Sequence, residues 1–374
     1  MNIYIHVPFC AQRCSYCDFY TQTQMSLRVS YVRGLLRELE MRRSELQPDA
    51  TIEHIYLGGG TPSLLSIDEL TQIFEQIYRL YPVSSGGEIT LEANPDDINR
   101  EYARGLRELP INRISMGVQS FQEADLKFLN RRHCRAQVYS AVELLRSAGL
   151  EEMSLDLIYG LPGQTEATWG DNIRQILSLD VPHISAYHLI YEEGTPLTRM
   201  LERGKVTEVS EEVSLMFFKM LIEQLGEAGY DHYEISNFAR PNHHARLNTG
   251  YWLGEHYLGF GPAAHSYDGL VRSYNVPSIE QYTEALEQGQ RKHTGEELTE
   301  EHILHEYIMT RLRTMWGINL DDMTTRFGSD ATSTLLSRAE PHLSSGKLIQ
   351  TDNVLRLTPS GVFVSDGILV DLFD

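Results

Sequence analysis

Three of the chain's four cysteines, Cys10, Cys14 and Cys17, fall within eight residues in C-x3-C-x2-C spacing. Three thiolates so placed can hold three irons of a cubane cluster and leave the fourth iron open. The same thiols could serve a zinc knuckle, which needs a fourth ligand, or a Cys-x-x-Cys redox pair. A disulfide-rich scaffold would carry more cysteines in a shorter chain. Spacing alone leaves the zinc and redox readings open. The setting favours the cluster, because the motif directly follows a strand in a series of β-then-α units.

Those units are read from the pattern of apolar residues. Strands fit residues 3–7, 53–57, 88–93, 113–118, 153–158 and 184–190. Helices fit 27–43, 136–148 and 165–179. Another starts at Ser66, with Glu69 at the capping-box position, and runs towards Tyr81. Six such units in series imply an α/β fold with a parallel sheet and right-handed crossovers. Six are too few to close an eight-stranded barrel, so an open, partial (β/α)6 barrel is expected. In such sheets function sits at the C-terminal ends of the strands. The loops there hold Cys10, Gly58-Gly59-Gly60, Asn94-Pro95, Gln119 and Gly160-Leu161-Pro162-Gly163. The conspicuous residues therefore converge on one rim.

At 374 residues, 41% of them hydrophobic, the chain is long enough for a large barrel and a smaller unit. Its character changes after about Gly269. Helical patterns at 278–288 and 300–313, a hairpin at 348–357 broken at Asp352-Asn353, and a closing helix at 359–372 suggest a small helical, winged C-terminal domain. The expected division is 1–269 and 270–374. Winged folds often bind DNA, but a formal charge of -20 repels phosphate backbones and argues against nucleic acid as a partner. No stretch is apolar for the length of a membrane span. The start, Met1-Asn2-Ile3-Tyr4-Ile5-His6, lacks a signal-peptide pattern, so a cytoplasmic protein is expected.

The run Cys10-Ala11-Gln12-Arg13-Cys14-Ser15-Tyr16-Cys17 resembles the signature of radical S-adenosylmethionine (SAM) proteins. Six further runs are similar to one branch of them, the oxygen-independent coproporphyrinogen III oxidases and their relatives, the HemW-type haem chaperones. These are His6-Val7-Pro8-Phe9-Cys10, Leu57-Gly58-Gly59-Gly60-Thr61-Pro62, Glu92-Ala93-Asn94-Pro95, Ser115-Met116-Gly117-Val118-Gln119-Ser120-Phe121, Asp156-Leu157-Ile158-Tyr159-Gly160-Leu161-Pro162 and Tyr233-Glu234-Ile235-Ser236-Asn237. The likeness runs from Ile3 to about Tyr267, and more loosely to the end.

This resemblance implies a [4Fe–4S] cluster on Cys10, Cys14 and Cys17, with SAM on its open iron. It implies that Gly58, Gly59, Gly60 and Thr61 let SAM approach the backbone, where a side chain would block it. It also implies that Glu92, Gln119, Arg131 and Asp156 are polar SAM contacts, with Arg131 against the SAM carboxylate. Read singly, each of these four is equally a strand-end polar group satisfying a turn. Tyr4 matches a tyrosine near the cluster, and is equally a core strand aromatic.

Two departures bear on activity. The oxidases resemble C-x3-C-x2-C-x-C, whereas this chain has Phe19 after Asp18, as the haem chaperones do. The expected function is therefore haem carriage, with haem as cargo for apo-proteins such as respiratory, membrane-associated cytochromes. The alternative is oxidative decarboxylation of coproporphyrinogen III to protoporphyrinogen IX. Secondly, the chaperones' His-Asn-x-x-Tyr-Trp reads Leu247-Asn248-Thr249-Gly250-Tyr251-Trp252 here, and leucine cannot ligate iron. His243 or His244 could substitute, or be plain surface histidines. His133 and Cys134 are another adjacent pair of iron-competent residues, Cys134 being equally a small buried residue near a helix start. His265 could face a porphyrin propionate or satisfy a turn.

Overall fold

The computed structural model of the protein describes residues 1–47 and 49–373. Six parallel strands form its centre: β1 (Asn2–Val7), β2 (His54–Gly59), β3 (Ile89–Ala93), β4 (Arg113–Gln119), β5 (Met153–Tyr159) and β6 (His183–His188). They alternate with α1 (Arg28–Met41), α2 (Ile67–Leu80), α3 (Arg100–Arg107), α4 (Glu123–Phe128), α5 (Arg135–Ser147) and α6 (Glu166–Ser178), the fourth crossover taking both α4 and α5. Strand residues alternate between faces. Ile3, Ile5, Leu57, Leu91, Met116 and Leu155 belong to the main apolar core. Their neighbours Glu92, Ser115, Asp156 and Tyr187 line a cavity on the other face. Ser66 caps α2 in the expected reciprocal box with Glu69.

The second half of the chain extends the sheet on both sides. α7 (Pro196–Glu202) and α8 (Glu211–Glu227) lead to β7 (Asp231–Glu234) and β8 (Asn237–Ala239), and β8 pairs antiparallel with β6. α9 (Arg246–Trp252) returns the chain to β9 (Tyr257–Phe260), which lies parallel on the free edge of β1. β10 (His265–Tyr267), β11 (Val271–Asn275), α10 (Ile279–Glu287) and β12 (His293–Glu297) follow. The sheet has twelve strands, in the order β12-β11-β10-β9-β1-β2-β3-β4-β5-β6-β8-β7. The fold is the expected α/β partial barrel, with one more parallel strand, β9, than the six read from the sequence. The sheet also continues beyond residue 269, and Leu286 of α10 belongs to its core.

A second apolar cluster runs from Tyr307 to Leu372. It is built by α11 (Glu300–Leu312), β13 (Ile318–Asn319), α12 (Leu320–Ser344), β14 (Leu348–Thr351), β15 (Val354–Leu357), α13 (Pro359–Val362) and α14 (Ser365–Phe373). The expected hairpin is β14–β15, widened to three strands by β13. The single closing helix foreseen at 359–372 is broken into α13 and α14. The unit rests on the barrel through Met315, whose N–H donates to the Tyr233 carbonyl at 2.9 Å. Among the described residues no helix is long and apolar enough to cross a membrane.

One buried ion pair ties α1 to the strands that close the barrel's edge. Glu38 and Arg42 are 0% and 1% exposed, and are 3.1 Å apart. Glu38 also accepts from Gly261 N–H, Asn275 Nδ2 and Tyr282 Oη at 2.7–2.9 Å. Arg42 donates to the Gly259 carbonyl and to Ser266 Oγ. Glu38→Ala takes away the buried counter-charge of Arg42, leaving it only the half-exposed Glu45 at 2.8 Å, and strips Asn275 and Tyr282 of an acceptor, a change that costs about 3–5 kcal/mol. A urea titration of the variant should show that loss. A midpoint within error of the unmodified protein would show that the pair does not hold the edge.

Candidate functional site

The three cysteines sit on the loop after β1, and several long-range hydrogen bonds hold that loop. Cys10 N–H donates to the Gln22 carbonyl at 3.0 Å, and Gln22 N–H to Pro8. Ser15 N–H donates to the Leu129 carbonyl, and its carbonyl accepts from Leu197 N–H. Asn130 Nδ2 donates to the Arg13 carbonyl at 2.8 Å. Cys10, Cys14 and Cys17 are free, partly accessible thiols on the wall of one cavity of about 430 Å³. That volume lies within the range of small-molecule sites.

The sulfurs have donors close by. Thr61 Oγ1 donates to Cys10 Sγ at 3.5 Å, and Arg131 Nη1 to Cys14 Sγ at 3.4 Å. Burial pushes the Cys10 thiol up and pushes Cys17 up to about 11, so both are protonated until a ligand displaces the proton. Among the described residues no three His, Cys, Asp or Glu side chains are placed to hold one metal ion. Three thiols on one wall match the ligand set of a cubane cluster with an open fourth iron, whereas a structural zinc site needs a fourth ligand.

The glycine run at the end of β2 passes beside the loop. A Cβ on Gly59, whose φ is +104°, would stand 2.5 Å from the His6 ring. On Gly60 it would meet the Phe9 and Val7 carbonyl oxygens at 2.7 and 2.8 Å. On Gly58 it would meet Tyr56 and the Glu92 carboxylate at 2.6 and 2.8 Å. The glycines are thus required first by contacts within the protein. The sequence reading attributed them to ligand approach or, taken singly, to a plain turn, and did not foresee these contacts.

Glu92 is fixed by Tyr56 Oη, donating to Oε1 at 2.7 Å, and by Gly59 N–H, donating to Oε2 at 3.0 Å. Burial nevertheless pushes its carboxyl up to about 7. Asp156, on β5, is likewise pushed up by burial to about 6. Carboxyls shifted in this way cluster at functional sites.

Of the residues singled out from the sequence, the three cysteines, Gly59, Gly60, Thr61, Glu92, Gln119, Arg131 and Asp156 all line this cavity. Tyr4 and Gly58 stand behind it: Tyr4 shares a hydrogen bond with His6 Nδ1 at 3.1 Å, and Gly58 abuts Glu92. Cys134 is the N-cap of α5, and the buried His133 bonds the Val118 carbonyl through Nε2. Burial holds His133 down at about 3. His265 stacks on Tyr274 at the far side of β1. Asn94 and Tyr187 also line the cavity and were not assigned a role from the sequence. For Asn94 the signal was present, since it lies in the matched run Glu92-Ala93-Asn94-Pro95.

A model of the radical SAM superfamily matches residues 4–176, and one of the HemN C-terminal domain matches 298–364. The heme chaperone HemW of Bacillus subtilis is 33% identical, the match covering 98% of this chain and 97% of that protein. HemW of Lactococcus lactis is 34% identical over 87% of this chain and 85% of its own. Among solved structures, coproporphyrinogen III oxidase from Escherichia coli, described as a radical SAM enzyme, superposes with a TM-score of 0.85. It covers 99% of this chain and 89% of its own at 21% identity, a likeness of fold.

The raised carboxyls have a consequence for stability. The folded chain keeps protons on Glu92 and Asp156 at pH values where the unfolded chain has released them. Their contribution is full below about pH 4 and is lost as the pH rises towards 7. Glu92→Gln removes its share. In urea titrations the variant should gain on the unmodified protein between about pH 5 and about pH 8. An equal difference at both pH values would rule out a raised Glu92.

Proposed function

The chain belongs to the HemW family of radical SAM proteins, and from that premise we propose that it carries haem and hands it to haem-accepting apo-proteins. Radical SAM membership implies a [4Fe–4S] cluster and SAM. Cys10, Cys14 and Cys17 would hold the cluster. Gly59, Gly60, Thr61, Glu92, Gln119, Arg131 and Asp156 would surround SAM, with Tyr4 and Gly58 supporting from behind. When bound and reduced, the cluster supplies the electron that cleaves a carbon–sulfur bond of SAM. This chain's part would be to hold the cluster through the three thiolates and the polar groups of SAM through Glu92, Gln119, Arg131 and Asp156. The acceptors would be apo-proteins such as respiratory, membrane-associated cytochromes, met from the cytoplasm.

The observation that carries haem carriage over porphyrinogen oxidation is Phe19. It lines the cavity two residues beyond Cys17, in the place where the oxidases resemble one another in having a cysteine, and is 58% exposed. A phenyl ring offers no thiol for redox or hydrogen-transfer chemistry. With Ile190, 63% exposed across the same mouth, it offers an apolar rim instead. A flat macrocycle would cover such a rim, and burying apolar surface would reward it.

The histidines expected to replace the family's ligand lie before α9, at the N-terminal ends of the strands and so at the other end of the barrel from this mouth: Arg113 at the start of β4 donates to the His243 carbonyl, and Glu152, just before β5, pairs with its ring. Leu247 is buried, 2% exposed, and cannot serve. His244 packs its ring on Tyr233, 4.6 Å between centroids, with Nε2 enclosed. His243 is the more open. Its Nδ1 pairs with Glu152 Oε2 at 2.9 Å, which holds it a strand's length from the Phe19–Ile190 mouth, so neither histidine ligates a haem seated there.

Reconstituted protein incubated anaerobically with coproporphyrinogen III, SAM and a reductant should form no protoporphyrinogen, while haem titration should give a saturable visible spectrum. Protoporphyrinogen production would overturn the carrier reading. In the same titration His243→Ala and His244→Ala should both leave the spectrum as it is. A changed spectrum in either variant would place the haem at the other end of the barrel and overturn the Phe19–Ile190 rim as its seat.

A further inference from the structure

Asn94, at the end of β3, stands between two of the groups that touch cysteine sulfurs. Its Nδ2 donates to Thr61 Oγ1 at 3.3 Å. Its Oδ1 accepts from Arg131 Nη2 at 2.6 Å. Thr61 in turn donates to Cys10 Sγ at 3.5 Å, and Arg131 Nη1 to Cys14 Sγ at 3.4 Å. A continuous path of side-chain hydrogen bonds therefore runs Cys10–Thr61–Asn94–Arg131–Cys14.

The chemistry of the members fixes the direction of every bond. A guanidinium only donates, so the Asn94 atom facing Arg131 is the oxygen and the nitrogen faces Thr61. Thr61 has one hydroxyl proton, and its oxygen already receives from Asn94. The proton is left for Cys10. Asn94 itself has little play. Its N–H donates to Ser63 Oγ at 3.2 Å, and Ser63 donates to Asp97 Oδ2 at 2.7 Å. Arg131 Nη2 is held from the other side by the Gly117 carbonyl at 2.6 Å.

We propose that Asn94 is a positioning residue that aims two hydrogen bonds at cluster thiolates and so sets the reduction potential of the cluster. Asn94 touches neither sulfur. It acts by choosing where the Thr61 proton points and by anchoring the Arg131 fork. Hydrogen bonds to the ligating sulfurs withdraw charge from a cluster and raise its potential. The inference rests on the reading that Cys10 and Cys14 are cluster ligands.

The test uses full-length protein, reconstituted anaerobically with iron and sulfide. It reads the midpoint potential by redox titration and the Fe–S(Cys) stretching bands by resonance Raman. Asn94→Leu should move the potential to more negative values and the bands to higher frequency. Thr61→Val should move both in the same direction by less. Asn94→Leu added to Thr61→Val should shift the potential by less than Asn94→Leu alone, because one of its two bonds is already gone. Asn94→Asp keeps the size and the Arg131 contact but turns the Thr61 proton away from Cys10. It should lower the potential too, and it serves if the leucine variant does not fold. Cys10→Ala and Cys14→Ala are carried alongside. Cluster retention by either overturns the ligand reading and this inference with it. If both lose the cluster, the inference alone is overturned by one of two results. One is a potential and bands unchanged in the Asn94 variant that folds; the other is strictly additive Asn94 and Thr61 shifts.

Discussion

The end of β2 lies so close to β1 and its loop that only glycine fits there, and the site is assembled around that contact. β1 and β2 pair in register, with Val7 opposite Gly59. That pairing brings the His6 ring to where a Gly59 side chain would be, and the carbonyls of Val7 and Phe9 to where a Gly60 side chain would be. The cysteine loop can therefore leave β1 directly over the strand ends. The same closeness delivers Gly59 N–H to Glu92, and Gly60 N–H to the Val7 carbonyl. A methyl group at either glycine would push the loop away from Thr61 and with it the donor to Cys10. At Gly60 the obstructing atoms are backbone oxygens, which cannot rotate aside as a flexible side chain can, so the strain there would pass into the strands.

This arrangement explains which parts of the molecule could be read in the sequence. The first six strands and their helices follow from local patterns, and so does the capping box at Ser66. The Cys10–Cys17 loop is a contiguous motif, so its place on the rim follows once β1 is recognised. β9 was not legible. It has four residues, one of them a glycine, and its reason for being a strand is the free edge of β1, more than two hundred residues earlier in the chain. The Glu38–Arg42 pair, which secures that edge, reads in the sequence as an ordinary helical i,i+4 pair. Only the packing of Gly259, Gly261, Asn275 and Tyr282 around it reveals that it is buried. Tyr4 and Gly58 illustrate the converse. Their motifs are right, yet they act through His6 and Glu92, since an alternating strand places some residues on the cavity and others behind its lining.

The cavity is costly to maintain, and its cost indicates what it is built for. It gathers two carboxyls that burial disfavours in their charged form, three thiols, and a buried Arg131 whose Nε has no partner. A core of the same shape filled with apolar side chains would be more stable. The opposite face of the sheet offsets this with a continuous apolar layer against the helices. What the polar face gains is order before any ligand arrives. Thr61 and Arg131 already point at sulfur, and Glu92 is already held by Tyr56 and Gly59. A ligand that brings iron to the thiols and a cationic amino acid to Glu92 would meet donors and acceptors with little left to rearrange. Such preorganisation raises affinity by reducing what binding must order. The fold thus spends stability at one rim to obtain a rigid polar site, and the loop's many backbone anchors are the structural form of that exchange.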